Sequence, residues 1–187
     1  QDGVGDRMLF NGANIAEDFD ASANGGRVRF FRNAGNIVMD LDGIEGIDLR
    51  AFGGADDLVV GDLSGTDVMN IATDLAATGG GDDAAPDTVT VNATNGDDVL
   101  VAAGASGSFR LEGTQPVVTA SGASAATDVL FVNGLAGDDV VEASGMAADA
   151  ITLVIDVGDG NDVGIGGDGD DTMLGGNGDD VLLGGPG

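Results

Sequence analysis

Asp162, Asp171 and Asp180 stand nine residues apart, each at the sixth position of a glycine-rich nonapeptide. The stretch 157–187 reads VGDGNDVGI, GGDGDDTML, GGNGDDVLL and GGPG: three units in register and the opening of a fourth. Met173 and Leu182 hold the eighth position, where an aliphatic side chain would enter a core; Gly164 breaks that rule in the first unit. Turns of this kind present short carboxylates and backbone carbonyls, which are the donors of a hard cation. Ca²⁺ takes about 6–8 such oxygens. Glycine lets the backbone reach positive φ without steric cost, so its carbonyls can turn toward an ion. Asp serves better than Glu where the ion is held close to the backbone, and 29 of the 33 acidic residues are Asp. The candidate calcium ligands are Gly158, Asp159, Gly160, Asp162, Gly167, Asp168, Gly169, Asp171, Gly176, Asn177, Gly178 and Asp180.

The composition points the same way. A formal net charge of -27 pushes a compact state apart unless something neutralises it, yet 42% hydrophobic residues provide for a core. Only six residues are basic, all Arg, so the clustered positive charge that nucleic acid requires is missing. Without Cys there are no disulfides or zinc clusters, and no run approaches the ~18 apolar residues of a membrane span. Paired carboxylates also suggest glycoside hydrolysis. Here they recur in step with the turns, and with no His, Tyr or Lys only Arg or Asp remains for proton transfer. The expectation is a protein that is not an enzyme.

The elements that must hold these turns show a longer period upstream. The pairs Asp56-Asp57, Asp97-Asp98 and Asp138-Asp139 are spaced 41 residues apart, each followed by an apolar run and preceded by an alternating strand. They add Asp57, Asp98 and Asp139 as further candidate ligands, with plain turn formation by Asp as the competing explanation. Short alternating strands between Gly, Asp and Asn turns predict an all-β chain. A 41-residue unit fits two coils of about 20 residues, and 18 residues fit one coil of two nonapeptides, giving about nine coils in all. The predicted organisation is a β segment of degenerate coils over 1–45, degenerate 41-residue units over 46–156, and the nonapeptide array over 157–187. With 18 residues per coil, Asp162 and Asp180 share a side and close one complete site. Asp171 faces the other way, opposite Leu153, and is expected to form a half-built site. Removal of calcium is expected to loosen the C-terminal region, and acid to act similarly, because ligand carboxylates bind when deprotonated.

The nonapeptides resemble the hemolysin-type repeats of the repeats-in-toxin (RTX) proteins, and VNATNGDDVLVAAG and VNGLAGDDVVEASG look like the degenerate units that precede such repeats. The resemblance implies a right-handed parallel β-solenoid, a β-helix continuing into a C-terminal β-roll, that folds on calcium outside a bacterial cell after type I secretion. It implies no single activity. The expected role is structural, as a segment of an extracellular fibre, surface layer or adhesin, with head-to-tail self-association. The alternative is a folding and secretion module of a larger exoprotein or exoenzyme.

Overall fold

A computed structural model describes residues 5–187. Strict alternation of apolar and polar residues, as in TVTVN at 88–92 and VLFVN at 129–133, puts every second side chain on one face and so favours strands with a single buried side. The described residues form seventeen strands in two sheets and contain no helix, hence none long and apolar enough to cross a membrane.

The chain begins in a nine-stranded sheet with β1 (Arg7–Asn11). It crosses to an eight-stranded sheet for β2 (Glu17–Asn24), β3 (Arg27–Arg32) and β4 (Ile37–Leu41), then returns for β5 (Gly46–Arg50). Strands β6 (Asp56–Val60) and β8 (Thr88–Asn92) lie in the eight-stranded sheet, with β7 (Asn70–Asp74) between them in the other. Next come β9 (Val99–Ala105), β10 (Ser108–Glu112) and β11 (Val117–Ser121), side by side in the nine-stranded sheet. Alternation resumes with β12 (Val129–Asn133), β13 (Val140–Met146), β14 (Thr152–Asp156), β15 (Val163–Ile165), β16 (Thr172–Leu174) and β17 (Val181–Leu183). Pairing is parallel except within the two meanders, β2–β3–β4 and β9–β10–β11.

These meanders correct the coil count. Thr88 pairs with Val129 and Val99 with Val140, so 41 residues make one circuit through both sheets, enlarged by β10 and β11, and not two coils. The cause is local. Ser106 and Gly107 take φ of 52 and 69, the left-handed pair that a two-residue hairpin turn requires, and send the chain back along β9. The eight-stranded sheet accordingly carries six circuit strands, β2, β6, β8, β12, β14 and β16, in place of about nine coils. The first 41-residue step joins unlike places: Asp56-Asp57 begin a strand of the eight-stranded sheet, whereas Asp97-Asp98 and Asp138-Asp139 lead into the nine-stranded one. In the nonapeptide region the circuit shortens to 18 residues, with Val163 beside Val181.

Register turns the alternation into ladders of like side chains. Phe19, Leu58, Val89, Leu130 and Leu153 form one buried row, and Ala21, Val60, Val91, Val132 and Ile155 the next. Each fully buried aliphatic contributes about 1.5–3 kcal/mol. Gly164 departs from the aliphatic rule because the space beside it is already filled by the ends of Met173 and Leu182. The two ends differ. Phe10, Phe19 and Phe30 pack together at the N-terminal end, with Phe10 and Phe30 ring centroids 5.1 Å apart. At the other end Val181, Leu182 and Leu183 of β17 are 52%, 38% and 55% exposed. Leu130→Ala should destabilise the fold by about 2–5 kcal/mol, because rigid neighbouring strands leave a cavity. Urea denaturation at fixed calcium concentration measures it.

Candidate metal centre

Alternation continues past the core into acid. Two residues before the first core position stand Asp98 (Leu100), Asp139 (Val141), Asp162 (Gly164) and Asp180 (Leu182) at the start of nine-stranded-sheet strands. Glu17 (Phe19), Asp56 (Leu58), Asp87 (Val89) and Asp128 (Leu130) do the same on the opposite side. A spacing of two keeps each acid on the inward face. Glu17, Asp56, Asp87, Asp128, Asp139 and Asp162 are all at most 2% exposed.

Each row is linked by its own hydrogen bonds. The Asp98 amide donates to Asp139 Oδ1 (2.8 Å), the Asp139 amide to Asp162 Oδ1 (2.7 Å) and the Asp162 amide to Asp180 Oδ1 (3.1 Å). On the other side the Glu17 amide donates to Asp56 Oδ1 (2.9 Å), Asp56 to Asp87 (2.9 Å) and Asp87 to Asp128 (3.1 Å). Asp162 and Asp180 are therefore neighbours on one side, and Asp139 and Asp98 extend their row.

The second carboxylate oxygen depends on the residue four places earlier. In four turns that residue is not left-handed and its amide closes the turn: Ala13 onto Glu17 Oε2 (2.6 Å), Thr94 onto Asp98 Oδ2 (2.9 Å), Ser124 onto Asp128 Oδ2 (2.8 Å) and Gly167 onto Asp171 Oδ2 (2.7 Å). Leu135 and Gly158 instead take φ of 71 and 97, and their amides do not close on the acid. Asp139 Oδ2 and Asp162 Oδ2 are then buried with no hydrogen-bond partner. A buried anionic oxygen without a partner is strongly unfavourable, and a cation is the remedy that leaves it ionised.

The turns that carry these oxygens stack directly, through bridges Ala136 to Asp159 and Asp159 to Asn177. The carbonyl oxygens of Gly137 and Gly160 face Gly160 and Gly178 so closely that a first side-chain carbon there would overlap them. Gly158 and Gly176 stand equally close to the carbonyls of Leu135 and Gly158. The remaining side chains of these turns point outward: Asn177 Nδ2 donates to Asp159 Oδ1 (2.6 Å), and the Asp179 amide to Asn161 Oδ1 (3.1 Å). Among the described residues no three acidic side chains converge on one point. An ion here would bind one or two carboxylates and draw its other oxygens from carbonyls. With that oxygen-only donor set and its two orphaned atoms, the residues present fit a calcium ion.

Gly167, Asp168, Gly169 and Asp171 lie on the opposite side. The 18-residue offset of β14 and β16 puts Asp171 beside Leu153, and the turn packs on the C-terminal segment through the Gly169 amide and the Pro186 carbonyl (2.8 Å). No carboxylate joins Asp171 from a neighbouring row there, and its own carboxylate is closed by Gly167. Asp57 is exposed on β6, level with Asp18; the adjacent Asp56 holds the inward place. Glu17, Asp56, Asp87 and Asp128 are not among the ligands predicted from the nonapeptides. Their signal was an acid, one residue, then alternating apolar residues, as in DDLVV and DTVTV.

Burial, with like charge from Asp162, raises the Asp139 carboxyl to about 6. Burial and the charges of Asp87, Glu17 and Asp83 push Asp56 up to about 8; burial and Asp128 bring Asp87 to about 7. Asp171 is raised by burial and by Asp170 and Asp168. Glu17 is neutralised by an ion pair with Arg32, while Arg27 pairs with Asp40 and Asp42, and Arg29 with Asp20. Comparisons with protein-family models, with curated proteins and with solved structures each found no match.

These raised values fix a sign. Between about pH 4, where the unfolded carboxyls titrate, and the folded values of Asp139, Asp87 and Asp56, the folded chain holds protons that the unfolded chain has lost. The metal-free protein should therefore gain stability as pH falls from 8 toward 5, opposite to the loss expected where acid strips calcium. Urea midpoints in chelator across that range measure it; a midpoint that is flat or falls on acidification contradicts the assignment.

Proposed function

We propose that the chain is a secreted, calcium-stapled β-solenoid of right-handed RTX type with a structural role, as a segment of an extracellular fibre, surface layer or adhesin. One observation carries the reading: Asp139 Oδ2 and Asp162 Oδ2 are buried and unpartnered in adjacent stacked turns that otherwise offer carbonyl oxygens. Two inter-turn places follow, one between turns 134–139 and 157–162 and one between 157–162 and 175–180. Asp139, Asp162 and Asp180 would supply carboxylates, and the Gly137 and Gly160 carbonyls further oxygens. Bound calcium would supply the positive charge that a chain of net charge -27 lacks.

Self-association draws support from the unequal ends. The apolar side chains of β17 are exposed, and β16 adds Leu174, 48% exposed. Residues 1–50 hold five of the six basic residues against nine acidic ones, so the N-terminal end would repel an acidic C-terminal end less than a second C-terminal end would. A head-to-tail contact whose rotation does not close yields a filament.

Calcium titration of the chelated protein, followed by far-UV circular dichroism and light scattering together, tests both parts. The expected result is a rise in β signal with growing particle size. A rise at constant monomer mass would keep the calcium fold and favour the folding and secretion module; no response would contradict calcium binding. Asp162→Asn should raise the calcium midpoint by at least about tenfold, about 1.4 kcal/mol. Asp168→Asn, at an exposed residue on the opposite side, should leave the midpoint unchanged.

A further inference from the structure

The turn at 51–56, AFGGAD, lies outside the nonapeptides and puts Phe52 where they carry glycine. Its backbone nevertheless has their shape. Phe52 and Gly54 take φ of 77 and 117, against 71 and 125 for Leu135 and Gly137. A bulky residue in the left-handed region costs of order 1–3 kcal/mol and persists only where its surroundings impose it. The neighbouring turn at 12–17 stacks on this one as 134–139 stacks on 157–162. Asn14 bridges to Gly53 as Ala136 bridges to Asp159. The Glu17 amide donates to Asp56 Oδ1 at 2.9 Å, as Asp139 does to Asp162 at 2.7 Å. Gly54 sits against the Ile15 carbonyl group as Gly160 sits against that of Gly137.

The outcome for the acid is also the same. Asp56 is 2% exposed, and its Oδ2 is buried with no hydrogen-bond partner. Two more carboxylates stand close by. Asp87 Oδ1 accepts the Asp56 amide at 2.9 Å, and Asp83 Oδ2 accepts the Gly54 amide at 2.7 Å. Arg32 is taken up by Glu17, and among the described residues none of Asp56, Asp83 or Asp87 has an ion-pair partner.

We propose that this turn holds a further calcium-class cation, with Asp56 Oδ2 as its buried carboxylate ligand and backbone carbonyls as its other oxygens, while Asp83 and Asp87, which do not converge on one point with it, add negative charge nearby. The site lies in the N-terminal half, on the side of the two-sheet body opposite Asp162. It rests on the reading that an inward orphaned carboxylate recruits calcium, but it shares no residue with the nonapeptide array.

Calorimetric titration of the full chain with calcium chloride, alongside Asp56→Asn and Asp162→Asn, tests it. Asn keeps an oxygen for the Glu17 amide and removes the charge. Asp56→Asn should bind one ion fewer than the parent protein, and Asp162→Asn should retain that ion. Hydrogen exchange on the unmutated protein and on Asp162→Asn covers the case in which Asp56→Asn fails to fold. At free calcium about a hundred times Kd, exchange of the amides at 52–57 through opening of the metal-free turn should slow about a hundredfold. An unchanged stoichiometry in Asp56→Asn, or amides at 52–57 indifferent to calcium, overturns the proposal. Loss of calcium binding in neither variant would overturn the C-terminal reading as well, whereas loss in Asp162→Asn alone would leave that reading standing.

Discussion

Every circuit of the chain meets one constraint at its corners, where the inward face of a strand runs from aliphatic side chains straight into a carboxylate. Asp139 and Asp162 are 1% exposed, yet each spends one oxygen on the amide of the preceding turn, at 2.8 and 2.7 Å. That bond ties neighbouring circuits together at the edge of the core, where parallel strands would otherwise splay into loops. It also commits negative charge to the interior. An anion held at that depth must be protonated, paired or coordinated. The stacking of the glycine turns, and the proposed binding of a cation, both turn on the way this inward acid is satisfied.

Backbone conformation four residues upstream sorts most of these acids into two kinds, with Asp87, four residues after an Asp83 that is neither left-handed nor closed on it, standing apart. Thr94, Ser124 and Gly167 close on Asp98, Asp128 and Asp171, which then act as turn formers. Left-handed Phe52, Leu135 and Gly158 leave Asp56, Asp139 and Asp162 open, each with an orphaned oxygen. The distinction crosses the sequence motif. GGDGDD at 166–171 has the glycines of a calcium turn but a closed acid, whereas GLAGDD at 134–139 and FGGAD at 52–56 are irregular but open. A nonleft-handed Gly167 accounts for the first case: glycine permits the left-handed form without imposing it.

Much of this was legible in the chain. Two-residue alternation announces an all-β fold, and the eighteen-residue spacing of Asp162 and Asp180, two nonapeptides, places them on one side, as the register of β15 and β17 does. The pairing of Asp171 with Leu153 was legible for the same reason. The meanders were not, because a hairpin at Ser106-Gly107 looks, residue by residue, like any other glycine turn; its direction is decided by φ, not by composition. The second acidic row was hidden differently. Asp56, Asp87 and Asp128 recur at steps of 31 and 41 residues, since circuits differ in length, and no fixed period reveals them. Their common feature is local, an acid two places ahead of the first core residue.

The most direct measurement of the central claim is an anomalous difference map from crystals grown in calcium. Ions are expected between turns 134–139 and 157–162 and between 157–162 and 175–180, with Asp139 Oδ2 and Asp162 Oδ2 about 2.3–2.6 Å from a peak. Peaks confined to outward carboxylates such as Asp159 and Asp179, with none along the inward row, would contradict the account.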